Sequence, residues 1–466
     1  MENLAVIILA AGKGKRMRSG LVKVLHPLVG RPMLSYPLEV SLEQLQPTKT
    51  VVVVGHQATQ IQECFSDPRI TFVQQKDQLG TGHAVSMTEP ILRDFKGCVL
   101  ILCGDIPLIT AQTLTAFLGH HRGKKATLTL LTAHREDPAG YGRIVHGPLG
   151  KVHKVVEEKD ATNREREIKE VNTGIYCVQT PFLFKALAKV RSDNAQREYY
   201  LPDIVEVAHH KKKRIGTFTA PDPVEIMGIN TRAELAQAEE ILAERVRQHW
   251  MAEGVTIQDP SSVFIEPSVR IGKDTVLYPN CYLRGETTIG EGCRIGPQVE
   301  IVDSQIGKGV QIRFCTMITE STIEADAIVG PFSHLRPHCH LEKGVKIGNF
   351  VEVKKSRIGQ GTKANHLSYI GDAELGKGVN IGAGTITCNY DGFNKYRTII
   401  EDGVFVGSNT ALVAPIKIGK GALVGAGTTI TKDVPPYALA VGRPRLKSMK
   451  KWVMKRDRRR QKNNED

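Results

Sequence analysis

Long apolar runs are missing from this 466-residue chain. None approaches the ~20 residues that span a bilayer, so no membrane span is expected. The apolar AVIILAA near the start has no basic segment before it and leads straight into a glycine-lysine loop, which marks a buried strand and not a signal peptide. Aromatic residues are scarce, at 6% with two tryptophans, so the core must be filled by aliphatic side chains. Paired cysteines are also missing. The nine present are scattered with no CxxC, which speaks against a disulfide framework and for reduced thiols in the cytoplasm. The local group His338-Cys339-His340 puts alternate residues of an extended chain on opposite sides, which argues against zinc.

Acidic residues are outnumbered, 49 against 63 Lys and Arg, for a formal charge of +14. A basic balance invites a nucleic-acid reading, because phosphate binding releases counterions. Much of the excess sits in the terminal run KSMKKWVMKRDRRRQK (447–462), where a charge run reads as a solvated arm. Anionic small substrates account for the rest, and no nucleic-acid partner is expected.

What the chain does have is a returning aliphatic-glycine pair through its second half: Ile271-Gly272, Ile289-Gly290, Ile295-Gly296, Ile306-Gly307, Ile347-Gly348, Ile358-Gly359, Ile381-Gly382 and Ile418-Gly419. Such a hexapeptide repeat builds a left-handed parallel β-helix, the aliphatic residue filling the prism and the small one allowing the corner. The period breaks from Ala383 to Phe405, which reads as a loop thrown out from the prism.

The first half alternates β-branched runs with helical patterns, VIIL, VVVV at 51–54 and VLIL at 99–102, as in βαβ units under a mostly parallel, Rossmann-like sheet. Hairpin signals at 140–159 and 171–178 predict a substrate subregion on that sheet, and a helix over 231–250 links the halves. The expected domains are 1–229, the linker 230–250, the β-helix 251–446 and a basic tail 447–466.

After the first strand, AAGKGKRM offers backbone amides and cations for phosphate, though a plain strand-helix connection is an alternative. It lacks the Walker order and the third glycine of a dinucleotide fingerprint. Asp105, closing the strand VLILC, suits a magnesium ion with Asn230 as second ligand, or else caps a turn before Pro107. Thr231 and Glu234 form a capping box that leaves the Asn230 side chain free for that work.

LAAGKGKRM, Lys23 in KVLHPL, QLGTGHA, GDIPL, GYGRI, EEKDA and NTGIY, in this order, resemble the sugar-phosphate nucleotidyltransferases. With KANHLSYIGDAELG and NIGAGTITCNYDG in the repeats, essentially the whole chain is similar to the bacterial family that joins such a domain to an acetyltransferase. The resemblance implies acetyl transfer from acetyl-CoA to glucosamine 1-phosphate, then uridylyl transfer from UTP to N-acetylglucosamine 1-phosphate, giving UDP-N-acetylglucosamine for envelope polymers and pyrophosphate. It places UTP on Leu9, Ala10, Ala11, Gly12, Arg16, Lys23, Gln75, Gly80 and Thr81, the sugar phosphate on Gly140, Glu157, Asn172 and Asn230, and Mg²⁺ on Asp105 and Asn230. Val22, Lys15 and Cys103 depart from the family pattern, where Pro, Thr and Tyr are usual.

A β-helix by itself could be an assembly module, a binding surface or an acyltransferase. His366 in NHLSYIGD favours the last: acetylation needs a neutral amine, and an imidazole suits removal of its proton. The resemblance adds Arg336, Lys354, Tyr369 and Asn380 for the sugar phosphate. It also adds Ala383, Asn389, Tyr390, Ser408, Ala426 and Arg443 for acetyl-CoA, in a homotrimer. The alternative is a monofunctional sugar-1-phosphate nucleotidyltransferase with a structural β-helix, which acetyl transfer surviving His366→Ala would favour. A nucleic-acid-binding scaffold would instead show salt-sensitive DNA binding that is lost with the tail.

Overall fold

A computed structural model describes residues 3–462 apart from 56, 148–149 and 443–445, with side chains given to 458. The chain divides into two compact units, 1–243 and 244–466. The division falls inside the helix Arg232–Ala252.

In the first unit the three β-branched runs become the strands β1 (Leu4–Ala10), β2 (Lys49–Val54) and β4 (Cys98–Cys103), and the unmarked segment β3 (Ile70–Gln74) joins them. They pair in parallel, and β1, β2 and β4 are buried on both faces. That is why these three read as continuous apolar sequence, without alternation. The segments between them coil into helices such as Ala58–Cys64 and Ala111–Gly123, which cover the sheet. Further along lie β5 (Leu128–His134), β6 (Gly142–His146), β7 (Val152–Val156), β8 (Glu170–Gln179) and β9 (Ile215–Thr219).

The strand order is β9-β5-β8-β4-β1-β2-β3. The hairpin-rich stretch is not merely appended to the sheet. β8 runs antiparallel in its middle, between β4 and β5, while β6 and β7 form a ribbon held by the start of β8. This carries Asn172 to the sheet's interior and opposes Gly142 to it across the ladder.

The second unit is a prism of parallel two- to four-residue strands in three sheets of 11, 10 and 9 strands, called here the first, second and third faces. On each short strand one side chain, usually aliphatic, points inward and its neighbours outward, as at Arg294-Ile295, where Ile295 is fully buried and pairs with Leu277 and Ile312. Stacked coils thus bury a continuous column from Val255 to Val434. Each fully buried Ile, Val or Leu contributes about 1.5–3 kcal/mol of transfer free energy. Many flanking polar residues are satisfied locally: the buried hydroxyls of Thr275, Ser321, Ser356 and Thr362 donate to backbone carbonyls at the turns, whereas those of Thr316 and Thr398 have no partner among the described residues.

The break in the repeat is shorter than expected. Ile386–Cys388 and Thr398–Ile400 stay in the ladder, paired with Ala411–Val413 and Ile416–Ile418. Only residues 389–397 leave it, because Thr387, Thr398 and Ile400 are still buried and hold their coils closed.

Candidate active sites

Parallel pairing sets the carboxyl ends of β1 and β4 side by side. Leu9 lies opposite Cys103, and the Gly104 amide donates to the Leu9 carbonyl at 2.9 Å. The loop after β1 and Asp105 after β4 therefore face the same cleft, where open α/β sheets gather ligands. Its volume is about 550 Å³, and its lining includes Gly12, Lys13, Lys15, Gln75, Thr81 and Asp105. Leu9, Ala11, Gly80 and Cys103 line it too.

Gly14 explains how the loop can sit there. Its φ is +58°, and a Cβ would lie 2.6 Å from that of Lys23. Only glycine lets the chain pass so close over that lysine. Lys23 is buried, and its ammonium donates to Asp105 Oδ2 at 2.5 Å and to Asn230 Oδ1 at 2.7 Å. The capping box forms, with Thr231 and Glu234 exchanging bonds and the Asn230 amide also donating to Glu234. The Asn230 side-chain oxygen is left unused by the helix, as the spacing implied, and accepts from Lys23.

Two hard oxygens converging on one cation form a donor set that fits Mg²⁺, which takes one carboxylate and fills the remaining positions with phosphate oxygens and water. With Val22 before it, Lys23 reaches Asp105 and Asn230. Lys15 lines the cleft, and the Cys103 thiol lies 3.6 Å from the Gly174 carbonyl, its pKa raised by burial and by Asp105. The Ala10 side chain packs into the core beneath the sheet, leaving only its backbone, and Arg16 is exposed on the loop after β1.

The expected sugar residues lie at the β6–β8 ribbon. Asn172 Oδ1 accepts from the buried Tyr176 hydroxyl at 2.8 Å and the Gly174 amide at 3.2 Å. Gly140, at φ +83°, offers its amide to Glu158 at 3.4 Å. Glu157 is raised to about 7, first by burial and then by repulsion from Asp203 and Asp160. Asp203 is itself raised to about 6, chiefly by burial.

In the prism the expected residues form two groups. His366 ends a first-face strand at the corner with the second face, and Leu367 turns that corner at φ +48°. Gly384, Asn409 and Gly427 turn the same corner on later coils, joined by amide bonds to Leu367, Ala383 and Ser408. His366, Ala383, Ser408 and Ala426 therefore form one column, coil above coil. The imidazole Nδ1 lies 2.9 Å from Asn349 Oδ1, one coil below. An amide oxygen only accepts, so Nδ1 carries the proton, and in the neutral ring the lone pair is on Nε2.

The second group lies across the second face. Arg336 pairs with Glu352 at 3.0 Å, and Lys354 opposes Gly371 across the ladder. A side chain at Gly371 would meet the Tyr369 hydroxyl at 2.3 Å, so the ring lies over that glycine towards Lys354. The Lys354 pKa is lowered by the adjacent Lys395 first and by Arg336 further on, so like charges are held close together here. Asn380 stands on the first face, paired with Lys363 and Phe405. Asn389, expected at acetyl-CoA, is buried with its amide donating to Asp372 Oδ2 at 2.5 Å, so its side chain anchors the excursion instead. Tyr390 is exposed in that excursion. Arg443 lies outside the described residues.

Three groups escaped the sequence. Asn349 is 17 residues before His366, one coil of the prism, and counting coils would have found it. Lys395 carries no signal beyond its place in the break. Cys98, His121 and Cys177 bring their ligand atoms within 4.8 Å of one another. They are core residues from distant segments, and the His121 ring bonds Thr129 at 2.7 Å. At 338–340 the reading of opposite sides holds: Cys339 is buried while His338 and His340 face Glu320 and Glu324.

A cleft at the carboxyl ends of a mostly parallel sheet in one unit and a hexapeptide prism in the other fit one class, a nucleotidyltransferase joined to a hexapeptide-repeat transferase, and the family matches define it. Residues 5–226 match the nucleotidyl transferase family. Residues 268–302 and 320–355 match the bacterial transferase hexapeptide, and 397–432 the hexapeptide repeat of succinyl-transferase. The chain is 49% identical to the Bifunctional protein GlmU of Geotalea uraniireducens, over 98% of this chain and 100% of that one. It is 49% identical to its namesake in Pelobacter propionicus, covering 97% and 98%, and 46% to that of Shouchella clausii, covering 98% and 100%. A solved UDP-glucose pyrophosphorylase complexed with UDP-glucose, at 16% identity and a TM-score of 0.44, covers 53% of this chain and 100% of its own, too distant a likeness to add to that. The chain belongs to the GlmU family of bifunctional proteins. It is an enzyme of UDP-N-acetylglucosamine synthesis with uridylyltransferase and acetyltransferase activities, and the monofunctional alternative is not favoured.

Proposed function

We propose that the first unit joins UTP to N-acetylglucosamine 1-phosphate and that the prism first makes that sugar phosphate from glucosamine 1-phosphate and acetyl-CoA. The observation that carries the first half is the convergence of Lys23, Asp105 and Asn230 on one point of the phosphate cleft. A sugar phosphate oxygen attacks the α-phosphorus in line and pyrophosphate leaves, so the chain's task is positioning and charge neutralisation. Asp105 and Asn230 would hold Mg²⁺, which when bound neutralises phosphate charge. Lys23 then turns its ammonium to the phosphates, the backbone from Leu9 to Gly12 with Gln75, Gly80 and Thr81 holds uridine, and Gly140, Glu157 and Asn172 hold the sugar.

In the prism, His366 Nε2 removes one proton from the ammonium of glucosamine 1-phosphate, the freed lone pair attacks the thioester carbonyl, and the adduct collapses with cleavage of the C–S bond, the second nitrogen proton going to the departing thiolate to give CoA thiol. Asn349 keeps the imidazole in the tautomer that can do this. Arg336, Lys354 and Lys395 take the phosphate, Tyr369 and Asn380 orient the sugar, and acetyl-CoA runs along the column Ala383, Ser408, Ala426.

Within one chain the width of the second face separates His366 from the cationic cluster, so a site completed by a neighbouring subunit of a homotrimer, in the cytoplasm, accommodates both. An exposed aromatic ladder at the His366 corner supports this. Phe314, Phe332 and Phe350 sit at successive ring distances of 5.3 Å and lead up to the exposed Leu367, an apolar ridge of the kind another subunit covers.

A product assay with glucosamine 1-phosphate, acetyl-CoA, UTP and Mg²⁺ tests the scheme. Omitting acetyl-CoA is expected to abolish UDP-N-acetylglucosamine. Omitting UTP is expected to leave N-acetylglucosamine 1-phosphate accumulating, and a UDP-sugar formed without acetyl-CoA would refute the order.

A further inference from the structure

Gln75 is buried at the end of β3, with its amide lining the nucleotide cleft. Its nitrogen lies 3.0 Å from the Gly80 carbonyl and 3.0 Å from His83 Nδ1. The Gly80 carbonyl can only accept, which fixes that atom as the NH₂ and not the oxygen. With one hydrogen on Gly80, the other points at His83, whose Nδ1 must then be the acceptor and its Nε2 the protonated nitrogen. Both amide hydrogens are committed. The Gln75 carbonyl oxygen accepts no hydrogen bond among the described residues and presents a fixed acceptor.

The partners are themselves immobilised. Gly80 has φ +109°, and a Cβ there would meet the Tyr199 carbonyl at 2.6 Å. The Gly82 amide donates to that same carbonyl at 2.7 Å, and the Leu201 amide donates to the Thr81 hydroxyl at 3.0 Å. The Gln75 amide is thus gripped from a backbone clamped to the 199–201 segment.

We infer that His83 is the positioning residue that makes the nucleotide site choose uracil over cytosine, by locking Gln75 with its oxygen towards the base. This rests on the reading that places the uridine at Gln75. The two pyrimidines have similar shapes and differ in polarity: uracil N3 carries a hydrogen, whereas cytosine N3 carries a lone pair. A fixed acceptor bonds the first and repels the second. An amide free to rotate would turn its NH₂ to cytosine and bind either, so Gln75 alone confers no preference. Discrimination comes from the group that forbids the rotation, as expected where an unpaired buried polar group is the penalty for the wrong ligand.

The test is the ratio of kcat/KM for UTP to that for CTP, measured on the full-length protein with N-acetylglucosamine 1-phosphate and Mg²⁺. Wild type is expected to prefer UTP strongly. His83→Leu, which cannot accept, should reduce the ratio by about 30-fold or more, through a raised KM for UTP and a lowered one for CTP, with kcat for UTP changed less than about threefold. His83→Ala replaces it if the Leu variant fails to fold. His83→Asn, whose Oδ1 can stand in for Nδ1, should hold the ratio within about threefold of wild type. Gln75→Ala separates the two ideas. If it leaves the wild-type ratio intact, or wild type shows no preference, the base is not read at Gln75 and the site reading fails. If Gln75→Ala collapses the ratio while His83→Leu preserves it, the site reading stands and the role of His83 is overturned. Equal collapse in His83→Leu and His83→Asn would mean a packing role only, and would also overturn it.

Discussion

The two units solve the problem of assembling a site in opposite ways. In the first, sheet pairing folds residues 23, 105 and 230 of the sequence onto one point, within 2.5 and 2.7 Å of a single ammonium. In the prism, no crossover gathers distant segments. Each coil only stacks on its neighbour about 4.8 Å away, so functional groups are laid out in columns along corners. His366 belongs to one column and Lys354 to the other side of a face. A doubly wound sheet closes a site within a chain, whereas a solenoid offers rows of groups that a second surface must complete.

That contrast is open to attack at its strongest point, the independence of the two chemistries. Asp105→Ala is expected to lower uridylyl transfer by about 10³-fold or more and to leave acetyl transfer within about twofold, since it removes the anionic donor at the phosphate cleft. His366→Ala is expected to do the reverse, with a loss of about 10²–10⁴-fold for a general base. Separate assays of the two half-reactions decide it, and parallel loss of both in either variant would break the comparison.

A smaller effect sharpens the prism side. Asn349→Ala frees the His366 imidazole to rotate and to take the unproductive tautomer. The expected loss is about 10–10² in kcat for acetyl transfer with little change in KM, because the residue acts on the base and not on the substrate. A change confined to KM would place Asn349 in substrate binding instead.

The same contrast governs what could be read before folding. The prism was legible almost coil by coil, because its period is local: Ile295-Gly296 states its own inward and outward faces. The column of His366, Ala383, Ser408 and Ala426 follows from periodicity except at the step from Ala383 to Ser408, which spans the excursion. The extent of the excursion was misjudged because Thr398 and Ile400 re-enter the ladder without an aliphatic-glycine pair. In the first unit β1, β2 and β4 are legible from β-branched runs, but β3 and β5 are not, nor is the insertion of β8 between β4 and β5, which is a long-range pairing with no local mark. The geometry linking Lys23 to Asp105 and Asn230 likewise depends on register, as does the contact of Gln75 with His83. Asn230 was an exception, because a capping box beside it states that its own side chain is unused by the helix.

The smallest expected effect concerns Glu157, where the first unit buries a carboxylate that has no counterpart in the open columns of the prism. Burial and the nearby Asp203 and Asp160 raise it from 4.5 to about 7. Between these two values the folded protein holds a proton that the unfolded chain has released, so stability falls as pH rises through this window and stays reduced above it. Glu157→Gln, neutral at every pH, removes that slope. Its stability relative to wild type is expected to be near zero at pH 4 and to grow to about 1–3 kcal/mol in its favour at pH 8, read as a widening gap in thermal midpoint. The same variant should weaken sugar-phosphate binding at pH 8, raising KM for uridylyl transfer, if the ionised carboxylate is what a sugar hydroxyl meets. A gap that stays flat with pH would mean that Glu157 ionises in the fold as readily as in water, and that the closed cleft imposes no electrostatic cost which the open prism avoids.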